Sequence, residues 1–168
     1  YVPTYSASVI NDPVKASVGR FEVRSGDVPP FGGGERSEDA STTAATGGRE
    51  GETLWYAFAT KFDSSFSQNR ADLGWMLTNQ WHPDSSTGSP PVSWTASDRN
   101  GYFSLRIEPQ SAPGVYLGSY SILDIPLNVG NWINVKMQIN WSTSDTQGWV
   151  RVWINGVRQT FINGSDTY

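Results

Sequence analysis

The sequence predicts an all-β fold, a two-sheet antiparallel β-jelly-roll sandwich, and three observations favour it. Aromatic residues, which prefer strands, make up 13% of the chain. The chain also holds 17 glycines and 10 prolines, the residues that most often end strands in turns. About eight to ten β-prone runs follow one another with a turn every ~8–12 residues, and no segment has a convincing helical period. This spacing is typical of β-sandwiches.

Length, charge and composition limit the other classes of protein. At 168 residues the chain fits a single domain, expected to span residues 1–168 with residues 1–16 as an N-terminal arm. The net charge of −4 argues against nucleic-acid and anionic-membrane partners, which favour a basic surface. The absence of cysteine excludes disulfides and thiolate catalysis. No apolar run approaches the ~20 residues that span a bilayer, and the first residues lack the features of a signal peptide.

Alternation of apolar and polar residues, interrupted by turn residues, gives the expected order of the elements. Strands are predicted at residues 19–24, 54–62, 73–82, 92–96, 102–108, 119–126, 132–141 and 149–154. Asn-Gly pairs at 100–101 and 155–156 are typical of tight hairpins, and residues 157–161 begin a further one. Loops rich in proline and glycine are expected at 28–34 and 83–91, and a short helical turn between 63 and 72.

The strand at 73–82 ends with the only histidine of the chain, His82. Successive side chains of a strand point to opposite sides, so Met76, Thr78, Gln80 and His82 are expected to share one face. An amide and an imidazole two residues apart stand about 7 Å from each other, and imidazole can move a proton near neutral pH. This pattern suits a reactive site. The competing interpretation is a partly buried histidine with a structural role alone.

A second polar face is predicted on two neighbouring strands near the C-terminus, where polar and aromatic residues alternate with apolar ones. Its predicted substrate-binding residues are Lys136, Gln138, Asn140, Trp149, Arg151 and Trp153. Aromatic rings stack on the C–H faces of sugars, while amides and cations bond hydroxyls or carboxylates, so the face suits a glycan. It equally fits a solvent face on which tryptophans cover a sheet edge, or the inner side of a curved sheet.

Arg36 lies between two glutamates after a glycine-rich loop, which suits either a surface ion pair or a bidentate clamp for a carboxylate. Other kinds of site find less support. There is no Gly-x-Ser-x-Gly elbow, the run at 32–34 lacks the lysine of a phosphate loop, and one histidine without cysteine argues against a transition metal. A calcium site built from loop oxygens stays open, as does a carboxylate pair for glycoside hydrolysis.

Five short motifs appear in the order seen in jelly-roll polysaccharide lyases. They are GERSE at 34–38, WYAF at 55–58, QWH at 80–82, GNW at 130–132 leading to WS at 141–142, and VWING at 152–156. The chain thus resembles this family over roughly residues 17–160. It is most similar to the glucuronan-lyase and heparin-lyase-like group, and more distantly to alginate lyases.

The resemblance implies a concanavalin A-like jelly roll, extracellular or surface-exposed, that binds an acidic polysaccharide and cleaves it by β-elimination. In that reaction a uronate carboxylate is neutralised, a base removes the C5 proton, and an acid protonates the leaving oxygen. Carried over from the family, Arg36 and Gln80 neutralise the carboxylate, and His82 is the base or assists it. No metal belongs to this residue set, and no cofactor is certain, with calcium left open.

The chain departs from the family pattern at its C-terminal end. The family places a Lys/Tyr-bearing strand after the Asn-Gly hairpin, and its tyrosine is usually the catalytic acid. This chain reaches Tyr168 too soon after the hairpin for that assignment. Either the strand lies outside the sequence, or another chain supplies it, or the fold serves as a non-catalytic lectin-like or structural module on a virion or cell surface. We therefore expect an adjoining segment or partner chain at the open sheet edge.

Overall fold

A computed structural model of the chain describes residues 3–69, 76–82, 90–96, 99–112, 115–144 and 146–168. Nearly all regular structure in this part of the chain is antiparallel β, and the four-residue helix α1 (Thr43–Thr46) is the exception. The all-β prediction is therefore confirmed. No helix among the described residues is long and apolar enough to cross a membrane. The chain divides into two compact units, residues 1–45 and 46–168, and the single domain stays a prediction.

The first unit is built on an antiparallel hairpin of β1 (Ala7–Asp12) and β2 (Ala16–Phe21). Its turn is stabilised by Asp12, whose Oδ1 accepts hydrogen bonds from the backbone nitrogens of Val14 and Lys15. The predicted arm at 1–16 thus contains a strand, and the strand predicted at 19–24 begins and ends three residues earlier. Asp12 explains this shift, because a short side chain with a hydrogen-bond acceptor favours a local turn.

The described residues of the second unit form ten strands after α1. They are β3 (Thr53–Lys61), β4 (Leu77–Trp81), β5 (Val92–Ala96), β6 (Tyr102–Ile107), β7 (Gln110–Ala112), β8 (Val115–Tyr116), β9 (Tyr120–Pro126), β10 (Trp132–Asn140), β11 (Trp149–Ile154) and β12 (Val157–Arg158). Residues 63–69 form a turn without a helix. Residues 70–75 and 83–89, where the rest of the helical turn, the start of one strand and most of one loop were predicted, lie outside the described residues.

Two four-stranded antiparallel sheets dominate this unit. One has the order β12-β11-β10-β3 and is called here the Lys136 sheet; the other has the order β4-β5-β6-β9 and is called the Gln80 sheet. Their facing sides share one apolar core, in which the indole nitrogen of Trp94 on β5 donates to the sulfur of Met137 on β10 at 3.2 Å. The Phe58 ring of β3 also meets Trp94, with centroids 6.3 Å apart. The sheets therefore form the predicted sandwich.

Alternation holds along β10, where Val135, Met137 and Ile139 are buried and the residues between them are not. It fails on β4, because a register irregularity between Leu77 and Asn79 places an extra residue in the strand. Met76 consequently packs against the core instead of sharing a face with Gln80. The prediction that Met76, Thr78, Gln80 and His82 share one face is therefore wrong for Met76, since a bulge reverses the alternation before Gln80.

The last residues of the chain cover part of the outer edge of β11. Beyond β12, the backbone nitrogen of Gln159 donates to the oxygen of Val152, and Tyr168 and Val150 exchange two backbone hydrogen bonds. Between these points Phe161 enters the core with 3% of its surface exposed. This edge is thus occupied by the chain's own residues. The adjoining segment or partner chain expected at the open sheet edge stays a prediction.

Candidate functional site on the Gln80 sheet

Gln80 lies on β4 and His82 follows the end of that strand, and both side chains are exposed. Asn79 and Trp81 pair with Trp94 and Val92, two core residues of β5, so they face the inside of the sandwich. Gln80 therefore points to the outer face of its sheet. The sequence prediction placed this amide and the imidazole side by side on one strand, and in the structure both lie at the same end of β4.

A row of polar residues crosses the outer face of the Gln80 sheet in register with Gln80. The pairings run from Gln80 to Ser93 on β5, then to Arg106 on β6 and to Ser121 on β9. Because neighbouring strands are about 4.8 Å apart, Gln80 and Arg106 are separated by roughly 10 Å across the sheet. The row thus orders an amide, a hydroxyl, a guanidinium and a second hydroxyl, which are groups that bind carboxylates and sugar hydroxyls. Gln80 is exposed, whereas Ser93 is buried with 4% of its surface exposed.

Arg106 is the member of this row that the sequence did not reveal as a site residue. Its guanidinium donates to Ser119 Oγ and lies 3.9 Å from Glu108 Oε1, and 14% of its side chain is exposed. Alternation along β6 places Arg106 on the face away from the core residues Phe103 and Leu105. The missing information was the pairing of four strands, because register across a sheet depends on residues distant in sequence.

Beside this row the outer face carries small polar residues that are fully buried. Thr95 and Ser104 pair with each other across β5 and β6, and neither is exposed. Ser104 donates to Asp124 Oδ1 at 2.6 Å, and Asp124 also pairs with Arg99. Within the described residues, Thr95 Oγ1 has no hydrogen-bond partner. Because Thr95 and Ser104 are not exposed, this part of the face is covered by the protein's own residues.

Arg36 belongs to the first unit and is described within it. Its guanidinium donates to the backbone oxygen of Gly33, lies 3.5 Å from Glu38 Oε1, and stacks 5.6 Å from the centre of the Phe31 ring. Its Nε atom is buried and has no hydrogen-bond partner among the described residues. The ion pair foreseen in the sequence is thus present.

The six predicted substrate-binding residues share one face, as the sequence indicated, but on the Lys136 sheet. On β10 and β11 the direct pairs are Lys136 with Trp153, Gln138 with Arg151, and Asn140 with Trp149. The two sheets meet through their apolar sides, so the outer faces of the sandwich point in opposite directions. The structure therefore does not bring these six residues together with Gln80.

Two of these six side chains donate hydrogen bonds to other residues of the protein. Asn140 Nδ2 donates to Thr53 Oγ1 at 2.9 Å, and Arg151 Nε donates to Thr167 Oγ1 at 3.0 Å.

The sequence did not reveal Trp55 of β3 as part of this face. Its ring lies 5.3 Å from that of Trp153, and alternation along β3 was the signal that could have found it.

Tyr168 lies far from Gln80. Its backbone pairs with β11 on the side away from β10, so about three strand spacings, ~14 Å, separate it from β3. Trp81 of β4 packs against Tyr56 of β3, with ring centroids 5.1 Å apart. Tyr168 therefore occupies the opposite side of the sandwich from the β4 strand and cannot contact a ligand bound at Gln80.

Tyr56 has a structural environment. Its hydroxyl accepts a hydrogen bond from the indole nitrogen of Trp141 at 2.9 Å, and its ring packs against the core. Burial raises the pKa of Tyr56, so the phenol is neutral at physiological pH. Among the described residues no group of three or more His, Cys, Asp or Glu side chains could hold a metal. A calcium site built from other loop oxygens stays open.

Comparison with known proteins gives one match. A family model described as Polysaccharide lyase matches residues 5–167, nearly the whole chain. No curated protein and no solved structure matches the chain.

Proposed function

Because the chain belongs to the polysaccharide lyase family, we propose that the outer face of the Gln80 sheet binds a uronate-containing polysaccharide and cleaves it by β-elimination. We further propose a glucuronan-type or heparin-type polymer as substrate, and an extracellular or surface-exposed location, secreted or virion-associated. The observation that carries the proposal is the polar row across this sheet: an exposed amide beside an accessible histidine, in register with a guanidinium two strands away.

In the proposed reaction the uronate carboxylate is held by hydrogen-bond donors, which stabilise the negative charge that develops when C5 loses its proton. Gln80 supplies an amide donor, and Arg36 is the guanidinium that the family resemblance assigns to this task. Arg106 adds a second guanidinium on the row of Gln80. Fixed donors of this kind lower the barrier because they need no reorganisation as charge develops.

His82 is the proposed base. A neutral imidazole takes the C5 proton, the C5–H electron pair forms the C4–C5 double bond, and the bond from C4 to the glycosidic oxygen breaks. The leaving oxygen gains a proton, which yields a 4,5-unsaturated uronate at the new non-reducing end. Tyr168 is not proposed as the acid, because it pairs with β11 on the far side of the sandwich. Water is the proposed proton source for the leaving oxygen.

The test is absorbance at the unsaturated-uronate band after the chain is mixed with glucuronan-type, heparin-type, alginate and hyaluronan-type polymers. We expect a rise with at least one polymer. We also expect no rise when the carboxyl groups of that polymer are reduced to alcohols, since neutralisation of the carboxylate then has no role.

Two substitutions test the residue roles. His82→Ala is expected to lower the rate by about 10²–10⁴-fold, the usual contribution of a general base, and Gln80→Ala to lower it as one donor is lost. Gln147→Ala, an exposed amide on a loop of the same unit, is the matched control. Unchanged product formation in folded His82→Ala would contradict the proposed mechanism.

The second candidate is a non-catalytic lectin-like or structural module, and the position of Tyr168 favours it. If no acid is available at the row of Gln80, the face can hold a uronate without expelling the leaving oxygen. This candidate predicts glycan binding without a rise in absorbance for any polymer of the panel. The carboxyl-reduced polymer should bind less tightly than the unreduced one.

A further inference from the structure

The outer face of the Lys136 sheet carries a charge pattern opposite to that of the whole chain. Its four strands contain no aspartate or glutamate, although the chain has 16 acidic residues and a net charge of −4. The same strands supply four cations, namely Lys61, Lys136, Arg151 and Arg158. Arg158 is paired with Asp166, whose Oδ2 lies 2.9 Å from its guanidinium. Around Lys136 and Arg151 the strands carry cations without acids, and such a surface is complementary to an anion.

Each of these cations lies against a tryptophan ring on the same face. Lys136 Nζ is 4.3 Å from the centre of the Trp55 ring and 5.8 Å from that of Trp153. Three further pairs follow the same pattern: Arg151 lies 4.4 Å from Trp149, Arg158 lies 5.5 Å from Trp153, and Lys61 lies 5.5 Å from Trp132. Such contacts hold the charged groups close to the sheet, so the cations and the rings form one continuous surface.

This surface is open. Trp55 has 51% of its surface exposed, and Lys136, Ala57 and Ala59 are exposed beside it. Trp55 and Trp153 approach each other across the central strand β10, with their planes inclined by 38°. The small side chains of Ala57 and Ala59 leave the rings uncovered on the β3 side. Ring faces that remain accessible next to cations can stack on sugars and pair with acidic groups at once.

We propose that the outer face of the Lys136 sheet is a second binding surface, specific for a polysaccharide that carries carboxylate or sulfate groups and independent of the row around Gln80. Trp55 and Trp153 stack on sugar rings, and Lys136 and Arg151 pair with the acidic groups. From β3 to β12 the surface spans about three strand spacings, ~14 Å, which accommodates more than one sugar ring.

A polysaccharide fits this surface better than a membrane. Gln138, an amide on the same strand as Lys136, offers the donors and acceptors that hydroxyls require. A lipid surface favours apolar side chains that project beyond the cations, whereas here Lys136 lies within 4.3 Å of the centre of the Trp55 ring and Arg151 within 4.4 Å of that of Trp149.

The experiment measures binding by calorimetry with the complete chain carrying His82→Ala, so that cleavage of the polymer cannot affect the result. The probes are heparin-type and glucuronan-type polymers and their carboxyl-reduced or desulfated forms. Lys136→Gln is expected to weaken binding about tenfold, the order of one charge-assisted contact, and the Trp55→Ala/Trp153→Ala double variant at least as much. Lys15→Gln, an exposed lysine on the hairpin of the first unit, should bind as before.

Near-ultraviolet circular dichroism confirms the fold of each variant, and Lys136→Gln keeps the test meaningful if the tryptophan double variant unfolds. Equal affinity of folded Lys136→Gln and its parent would overturn the proposal. Tighter binding of an RNA oligomer or of anionic lipid vesicles than of either polymer would also overturn it. If His82→Ala forms no product but still binds the polymer through Lys136, binding on this face is supported independently of the cleavage proposed at Gln80.

Discussion

Single carboxylates join distant parts of the second unit, and Glu50 is the clearest case. Its Oε1 accepts a hydrogen bond from Ser142 Oγ at 2.6 Å, and its Oε2 accepts one from the backbone nitrogen of Thr143 at 2.7 Å. These two bonds connect the segment before β3 with the loop that follows β10. Both bonds lower the pKa of Glu50 below its ordinary value of 4.5, and the bond from Ser142 has the larger effect.

A depressed pKa in the folded state makes stability depend on pH. The contribution of Glu50 is fully present above its ordinary pKa and is lost as pH falls through the lower folded-state pKa. We therefore expect the difference in unfolding free energy between the wild type and Glu50→Gln to shrink as pH is lowered from 6 to about 3. Urea denaturation at a series of pH values measures it, with Ser142→Ala as a partial version. A difference that does not vary with pH would contradict this role.

At the scale of the element, strands without irregularities could be predicted residue by residue. Alternation along β10 separated Val135, Met137 and Ile139 from Lys136 and Gln138 correctly, because an unbroken strand has a side-chain period of two. The same argument failed for Met76 on β4, since a bulge adds one residue and the sequence holds no clear sign of it.

The Asn-Gly turn between β11 and β12 is the predicted element with the most direct physical cause. Asn155 has φ of 50° and Gly156 has φ of 84°, the left-handed values that this type of hairpin needs. Asn155 Oδ1 also accepts hydrogen bonds from the backbone nitrogen and Nδ2 of Asn134, at 3.0 Å and 2.9 Å. The side chain thus fixes the turn to β10 as well as shaping it.

Substitutions at this turn should separate the two effects. Asn155→Gly keeps a backbone suited to the turn but removes the side-chain hydrogen bonds to Asn134. Asn155→Ala loses those bonds and also disfavours the left-handed backbone, so it should be the less stable variant. Thermal unfolding is expected to give a further loss of roughly 1 kcal/mol for alanine over glycine, the cost of a left-handed backbone for a residue with Cβ. Equal stability of the two variants would show that backbone strain has no part here.

For the whole molecule, the sandwich and the shared face of Lys136 and Trp153 could be predicted, since both follow from strand periodicity. The row that joins Gln80 to Arg106, and the opposite orientation of the two outer faces, could not. Both depend on which strands pair and which sheet each strand enters. Those pairings come from contacts between residues far apart in sequence, such as Trp94 with Met137.

Removal of the C5 proton is the central chemical claim, and it can be observed without product release. The measurement is proton magnetic resonance of a glucuronan-type polymer in deuterated buffer, with the wild type and with His82→Ala. If His82 removes the C5 proton, the wild type should cause loss of the C5 proton signal or the appearance of the olefinic proton of the unsaturated uronate. The His82→Ala variant should cause neither change. An unchanged C5 signal and no olefinic proton, with folded wild-type protein bound to the polymer, would contradict the claim.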